Sequence, residues 1–150
     1  MIGRVAKEIP AVSTTGYPEP FRIRILPREV RRLGDAFGLT AIGVSLVTVF
    51  PGKESSMRHH HSHEDELVYV LEGELVLRTA AGDERLTAGM VVAFVAGDGN
   101  GHQLVNDSDA NAVFLVASNR HPHDTVAYPD VDLAARKVGG AYVFTQGGDR

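Results

Sequence analysis

The stretch HHHSHEDELVYVLEG, residues 59–73, decides the fold of this chain. It places four of the chain's seven histidines and three consecutive acidic residues directly before an apolar run that ends at a glycine. Imidazole nitrogens and carboxylate oxygens are ligands of first-row transition metals, and an apolar run of this length predicts a buried strand. We therefore predict a metal site at the start of a strand.

Strand geometry selects two of these histidines as ligands. Side chains two residues apart on a strand point the same way, so His59 and His61 can both face the interior while His60 faces outward. A short loop at residues 62–65 then reverses the chain into the next strand. That strand begins with Glu66, which returns a carboxylate to the two imidazoles.

A second register pairs His61 with His63 instead. In that register Glu66 follows after only two residues, and the spacing to Gly73 has no explanation. We favour the first register and expect His60 and His63 to lie at the rim of the site. The sequence leaves open whether His63 replaces one of the ligands.

A fourth ligand has to come from a neighbouring strand, and His102 is the candidate. It follows the glycine-rich run of residues 97–101 and opens a predicted strand. The candidate ligands are therefore His59, His61, Glu66 and His102. Such a set leaves two positions of an octahedral metal shell open to another molecule.

The wall of the pocket beyond the metal is predicted to be apolar. Side chains alternate along a strand, so Val68 and Val70 point inward together with the carboxylate, and Leu104 joins them from the second segment. Such a wall favours a small ligand with little charge. The apolar run 67–71 also indicates a strand covered on both faces, with Tyr69 in the core.

Turn signals recur about every 8 to 12 residues, which is the spacing of a sandwich or a small barrel. The sequence predicts strands at residues 21–26, 41–50, 66–72, 74–79, 86–95 (one or two strands), 102–105, 111–117 and 141–145. One or two helical turns are expected at residues 28–37 and at residues 132–138. These elements predict an all-β fold.

Two motifs in this series of strands resemble those of the cupin superfamily. The pattern H-x-H-x4-E-x6-G at residues 59–73, with Pro-Gly at residues 51–52 before it, is similar to the first cupin motif. The patterns G-x7-G at residues 89–97 and H-x3-N at residues 102–106 are similar to the second. In this second motif Val95 stands where the family has proline, and the loop before the histidine is two residues longer.

The resemblance covers residues 41–118 and extends to small single-domain bacterial cupins. It implies a single-domain β-jelly roll in which both motifs meet at one metal. The ligands that it implies are His59, His61, Glu66 and His102. Residues 1–40 would form an N-terminal arm and a first edge strand, and residues 119–150 an irregular C-terminal tail that packs on the barrel. A homodimer is also expected, since such domains often pair through edge strands.

Composition narrows the chemistry and the partners. The 150 residues include no cysteine, which excludes disulfides, thiolate metal sites and cysteine nucleophiles, so any metal must bind nitrogen and oxygen. The net charge of −4 indicates no nucleic-acid surface. No window approaches the ~20 apolar residues of a membrane span. Because the N-terminus lacks a signal-peptide pattern, we expect a cytoplasmic protein.

One basic segment departs from this acidic balance. Its arginines are Arg22, Arg24, Arg28, Arg31 and Arg32. We expect them to form a solvated face. Binding of a phosphate or a carboxylate is the alternative, because the guanidinium fork matches both groups.

The function predicted from these features depends on a metal, and the substrate is undetermined. We expect one divalent transition metal (Zn, Mn, Fe or Ni) and a small-molecule ligand. The first hypothesis is an enzyme in which the metal acts on a small oxygenated ligand, since the superfamily that the chain resembles includes sugar-phosphate isomerases and the small bacterial cupins are described as similar to them. The alternatives are an iron-dependent dioxygenase and a binding or sensing module without turnover. No general base can be named, although Glu54 and Glu72 lie nearby in sequence.

Overall fold

The fold is built almost entirely from short β-strands. The computed structural model describes residues 2–147, so Met1 and residues 148–150, at the ends of the predicted arm and tail, lie outside the described residues. The strands are β1 (Ala11–Val12), β2 (Arg28–Arg32), β3 (Ile42–Val49), β4 (His60–His61), β5 (Glu66–Glu72), β6 (Glu74–Thr79), β7 (Gly82–Thr87), β8 (Val91–Phe94), β9 (Gln103–Val105), β10 (Ala112–Asn119), β11 (Thr125–Ala127), β12 (Ala134–Val138) and β13 (Ala141–Thr145). The helical elements are a 3-10 turn (Ala6–Glu8), α1 (Arg22–Ile25) and α2 (Leu33–Ala36). In this part of the chain, no helix has the length and hydropathy needed to cross a membrane.

Two antiparallel sheets form the body of the molecule. One has six strands in the order β1-β2-β3-β10-β5-β8, and the other has three in the order β7-β6-β9. Apolar side chains from both sheets meet in one core, where Val49, Val70 and Leu75 are almost completely buried. Several neighbouring strands are distant in sequence, as in a jelly roll: β10 lies between β3 and β5, and β9 pairs with β6. The predicted all-β jelly roll is confirmed.

A third sheet forms a second apolar core with the start of the chain. Its four strands run in the order β13-β12-β11-β4, so the segment after residue 118 is more regular than the sequence indicates. Tyr17 and Ile25 from the N-terminal segment pack in one cluster with Val126 and Ala135 from this sheet. The first and last parts of the chain therefore meet each other beside the histidine strand β4.

Three predicted elements are corrected by the structure. Residues 21–26 hold the helical turn α1 rather than a strand. The helix expected at residues 28–37 is confined to α2, because residues 28–32 form β2. The helical turn expected at residues 132–138 is wrong, since strand β12 occupies most of this range. One or two isolated helical turns have little stability of their own, so pairing of β2 with β3 and of β12 with β13 decides the outcome.

Strand β5 is covered on one face only. Val68 and Val70 are buried, as predicted, but Leu67, Tyr69 and Leu71 are 42%, 41% and 38% exposed. The expectation that both faces are covered, with Tyr69 in the core, is therefore wrong for the single chain. Uninterrupted apolar residues do not separate a doubly covered strand from one that carries an apolar outer face.

Candidate metal centre

His59 and His102 lie side by side because their backbones form an isolated β-bridge. The N–H of His59 donates to the carbonyl of His102 at 3.1 Å, and the N–H of His102 donates to the carbonyl of His59 at 2.9 Å. The longer loop before His102 thus does not separate the two motifs. His61 follows in β4, and Glu66 is the first residue of β5. The fold brings all four predicted side chains to one place.

Three imidazoles converge on the carboxylate of Glu66. The Nε2 atom of His102 lies 2.7 Å from Oε2 of Glu66, and the Nε2 atom of His59 lies 3.9 Å from the same oxygen. The Nε2 atom of His61 lies 3.6 Å from Oε1. Ligand atoms of His59, His61 and Glu66 all lie within 4.8 Å of one another. One ion placed among these atoms would meet nitrogen and oxygen donors together.

Hydrogen bonds on the far side of two rings aim their Nε2 atoms at this point. Nδ1 of His59 donates to the carbonyl of Met57 at 2.8 Å, and Nδ1 of His61 donates to the carboxylate of Asp124 at 2.6 Å. Because Nδ1 carries the proton, Nε2 carries the lone pair in the neutral ring. A carboxylate or carbonyl behind a histidine is the usual support of a metal-binding imidazole.

The ring of His102 is held by stacking instead. It lies flat on Phe94, with ring centroids 3.5 Å apart and 2° between the planes. Its Nδ1 atom is buried and has no hydrogen-bond partner among residues 2–147. The orientation of His102 therefore depends on the aromatic contact and on its backbone bridge.

The protonation states of the cluster suit a metal ion. Burial lowers the pKa of His59 from 6.5 to about 4, so that its ring is neutral at pH 7. Burial alone would raise the pKa of Glu66, but the hydrogen bond from His102 and the neighbouring imidazoles lower it from 4.5 to about 2. Neutral imidazole and ionised carboxylate are the forms that bind metals. The donor set of nitrogen and oxygen fits a divalent first-row ion.

Asp124 is a site residue that the sequence interpretation missed. Its side chain is fully buried, and it accepts hydrogen bonds from His61, from the N–H of His63 at 2.8 Å and from the Tyr142 hydroxyl at 2.7 Å. Burial opposes ionisation, yet these hydrogen bonds hold the pKa of Asp124 below its usual value. Its one sequence signal, a carboxylate directly after His121-Pro122-His123, does not reveal that β11 pairs with β4.

The remaining candidates lie outside the cluster. His60 lines a separate groove with β11 and β12. His63 is exposed and stacks on His121 with centroids 4.4 Å apart. The carboxylate of Glu54 accepts hydrogen bonds from Nε and Nη2 of Arg24 at 2.7 and 2.9 Å. Glu72 is exposed and pairs with a lysine at the surface. The geometry therefore favours neither glutamate as a base at the metal centre.

Two adjoining cavities open from the cluster. The first has a volume of about 240 Å³, and its lining includes His59, Glu66 and His102 with Val68 and Leu104. The second, of about 460 Å³, shares His59 and Glu66 and adds His61 together with Tyr17, Tyr128 and Tyr142. Val70, which was expected in the wall, lies in the main core instead. The predicted apolar wall is present on one side only.

Cations also line these cavities, so the prediction of a solvated arginine face is wrong for the half-buried Arg28, whereas Arg22, Arg24 and Arg32 are exposed. Arg28 borders both cavities, and Arg32 borders the larger one. Both belong to β2, the strand that was expected to be helical. The polar groups near the cluster are completed by Ser55 and Ser56. A charged or hydrogen-bonding ligand therefore fits these cavities better than an apolar one.

Buried tyrosine hydroxyls face the larger cavity. Burial raises the pKa of Tyr17 and that of Tyr128. Both hydroxyls consequently keep their protons at neutral pH. Tyr17 accepts a hydrogen bond from the N–H of Met57 at 3.2 Å, which fixes the position of its oxygen. These groups are suited to donate to a ligand oxygen rather than to act as bases.

A family match covers the strands that carry this site. Residues 45–118 match the family model described as Cupin domain. The structure superposes with a TM-score of 0.89 on that of a sugar phosphate isomerase of the cupin superfamily from Silicibacter pomeroyi, at 41% identity over 93% of this chain and 89% of the other. The chain belongs to the cupin superfamily. No protein with a curated description matches this cupin.

Two further structures show how far the likeness extends. A protein from Acidithiobacillus ferrooxidans that is provisionally described as a sugar phosphate isomerase is 32% identical to this cupin. Its structure superposes with a TM-score of 0.74 over 82% of this cupin and 78% of its own chain. The polyketide cyclase from Streptomyces resistomycificus is 22% identical, with a TM-score of 0.64 over 79% of this cupin and 80% of its own chain. The second likeness shows the fold alone, and one fold supports several activities.

Proposed function

We propose that this cupin is a metal-dependent isomerase of small phosphorylated sugars. One divalent transition metal would be held by His59, His61, Glu66 and His102. The observation that carries the proposal is the convergence of three imidazoles on one carboxylate in the wall of a cavity that also contains guanidinium and hydroxyl groups. The sugar phosphate isomerase names of two relatives at 41% and 32% identity support the same substrate class.

Each part of the cavity has a role in such a reaction. When bound, the metal supplies a Lewis acid for carbonyl and hydroxyl oxygens of the sugar. The hydroxyls of Tyr17 and Tyr128 are hydrogen-bonded to each other, and the pair donates its remaining proton to an oxygen that gains negative charge as a proton moves between neighbouring carbons. Asp124 keeps the ring of His61 oriented. The apolar side of the wall limits the access of water to the reacting carbons.

Metal analysis and an isomerase assay test this proposal. The purified protein should contain close to one divalent ion per chain and should interconvert aldose and ketose forms of a small sugar phosphate. The double variant His61→Ala, Glu66→Ala should lose the ion and the activity. The matched control His60→Ala, His63→Ala removes two histidines from the same segment and should keep both.

Three outcomes would contradict the proposal. Unchanged metal content in the His61→Ala, Glu66→Ala variant would show that the ion binds elsewhere. Bound iron with substrate-dependent oxygen uptake, and no isomerisation, would favour the dioxygenase alternative. A metal-loaded protein that binds a small molecule without converting it would favour the sensing alternative.

We also propose that this cupin forms a homodimer through the outer face of β5 and β8. These two strands are paired, and β8 is an edge strand of the six-stranded sheet. Leu67 and Tyr69 on β5 lie beside Val91 on β8, which is 60% exposed. A second copy would cover this apolar surface, which a single chain leaves in water.

A further inference from the structure

Arg28 and Arg32 occupy the same face of one strand beside the metal cluster. They lie four residues apart in β2, so their side chains emerge on the same side of the sheet. Arg28 lines both cavities together with His59 and Glu66. Arg32 lines the larger cavity and also an adjoining surface pocket of about 510 Å³.

The other arginines of this segment are neutralised by carboxylates. Arg24 pairs with Glu54 at 2.7 Å, and Arg31 pairs with Glu29 at 3.2 Å. Arg22 lies 3.8 Å from the carboxylate of Glu19. Arg22, Arg24 and Arg31 therefore form ion pairs with carboxylates of the protein, which is a usual role of arginines in a basic segment.

Arg28 and Arg32 lack such partners. The Nε and Nη2 atoms of Arg28 donate to the backbone carbonyl of Thr14 at 3.2 and 3.0 Å, and its Nη1 donors remain unused among the described residues. Within residues 2–147, neither arginine forms an ion pair, and Arg32 donates no hydrogen bond. The carbonyl of Thr14 orients the guanidinium of Arg28 without cancelling its charge.

A guanidinium group that has lost part of its hydration costs free energy unless an anion binds to it. Arg28 is partly buried, and burial lowers its pKa, with a further contribution from the like charge of Arg32. A guanidinium nevertheless stays protonated in proteins. A desolvated charge is unfavourable when it has no partner. The position of Arg28 in a ligand cavity is therefore explained by an anionic group of the ligand.

We propose that Arg28 and Arg32 form a subsite for the phosphate of the substrate, with Arg28 as the direct donor. The inference rests on the proposed function and names how the phosphorylated end is recognised. The opposite end of the same molecule then reaches the metal cluster through the shared cavity. The substrate class is a small phosphate monoester with adjacent carbonyl and hydroxyl oxygens.

Charge and size support this class. A divalent ion, the Glu66 carboxylate and two guanidinium groups would give the cavity a net charge of about +3, and a phosphate monoester of about −1.5 to −2 would offset half of it or more. A neutral sugar would leave that charge uncompensated. The two cavities at the cluster have volumes of about 240 and 460 Å³, which lie below or low within the ~300–1,000 Å³ of sites for drug-sized ligands. These volumes suit a small substrate.

Titration calorimetry with inorganic phosphate, on the protein with its metal as purified, tests the subsite. Loss of a charge-assisted donor should weaken phosphate binding by about ten- to a hundredfold in Arg28→Gln, and by less in Arg32→Gln. The matched control Arg22→Gln removes an arginine of the same segment that pairs with Glu19 outside the cavities, and it should bind phosphate as the wild type does. Arg28→Lys keeps the positive charge but loses the forked pair of guanidinium donors, so its affinity for phosphate should be intermediate.

Phosphate bound directly to the metal is the competing explanation. In the double variant His61→Ala, Glu66→Ala, which lacks the metal site, phosphate should still bind and should still depend on Arg28. Equal affinity in Arg28→Gln and the wild type would overturn the inference. The inference would also be overturned if phosphate binding is lost with the metal site and is unaffected by Arg28→Gln. If Arg28→Gln does not fold, the comparison of Arg28→Lys with Arg22→Lys carries the test.

The subsite and the isomerase activity can fail separately. An active isomerase whose KM for a sugar phosphate is unchanged in Arg28→Gln would refute the subsite and leave the activity standing. A protein that binds phosphate through Arg28 but converts no sugar phosphate would refute the activity and leave the subsite standing. If both hold, Arg28→Gln should raise KM more than it lowers kcat.

Discussion

At the scale of single residues, the contact between His61 and Asp124 decides how the metal centre is held. The two side chains are 63 positions apart in sequence and 2.6 Å apart in space. Asp124 fixes which nitrogen of His61 carries the proton, and the Tyr142 hydroxyl fixes Asp124 in turn. The proposed ligands can be predicted from sequence motifs, whereas the group that orients one of them cannot.

We predict that Asp124→Asn lowers metal affinity by about ten- to a hundredfold, because loss of a supporting carboxylate has effects of that size. Competition with a chelator of known affinity measures the change. Asp130→Asn is the matched control, since this carboxylate is exposed and pairs with Arg58. Equal losses in the two variants would show that the effect is general rather than a property of the His61 contact.

The buried ring of His59 predicts a pH dependence of stability. Unfolded His59 takes up a proton near pH 6.5, whereas in the folded protein it does so only near pH 4. Between these values the unfolded state binds more protons, so the free energy of unfolding of the metal-free protein should fall with decreasing pH, by about 3 kcal/mol at most. Urea unfolding at a series of pH values measures the slope.

Replacement of His59 provides the control for this slope. His59→Gln removes the titrating ring and should flatten the dependence between pH 6.5 and pH 4. Replacement of the exposed His123 by glutamine should leave it unchanged. If the free energy of unfolding of His59→Gln depends on pH as strongly as that of the wild type, other titrating groups cause the dependence.

At the scale of elements, the turn between β5 and β6 is fixed by a glycine that no other residue can replace. Gly73 has a φ of 71°, and a Cβ atom placed there would lie 2.5 Å from the backbone oxygen of Asn111. Gly52 has a similar φ of 77°, but a Cβ atom there would meet nothing within 4 Å. The first position combines backbone strain with a steric clash, and the second has strain alone.

This difference predicts unequal costs for the same substitution. Gly52→Ala should destabilise the protein by about 1–2 kcal/mol, the usual penalty of a left-handed conformation. Gly73→Ala should cost more, because the carbonyl of Asn111 belongs to the backbone and cannot move aside freely. Thermal or urea unfolding of the two variants measures the difference. Equal costs would mean that the chain relaxes around residue 73.

Strand β2 shows why elements at the start of the chain were misread. Val30, Leu33 and Phe37 have the spacing of a short helix, but residues 28–32 pair with β3 on one side, and residues 30–31 pair with β1 on the other. Backbone hydrogen bonds to two neighbouring strands outweigh a weak local preference for a helix. The same pairing places the half-buried Arg28 and the exposed Arg32 at the border of the cavities.

At the scale of the whole molecule, the apolar outer face of β5 and β8 predicts the oligomeric state. Sedimentation should find a dimer, and Leu67→Glu or Val91→Glu should shift it toward monomer because a charge would be buried in the interface. Val138→Glu is the control, since Val138 is 49% exposed on the third sheet. A wild-type monomer, or a dimer that persists in both variants, would contradict this assignment.

The sequence by itself determined the jelly roll and the cluster of His59, His61, Glu66 and His102. Strand periodicity and a short loop place His59, His61 and Glu66 together, and both act over a few residues. His102 is recognised by the resemblance of its motif to the cupin family, because the bridge that brings it to His59 joins distant segments. The tertiary structure alone decided that Asp124 supports His61 and that Arg28 lines the cavity. The first depends on the pairing of β11 with β4, which are distant in sequence, and the second on the pairing of β2 with β1 and β3 on its two sides. Local patterns carry no information about such pairing, because its free energy comes from the assembled sheets.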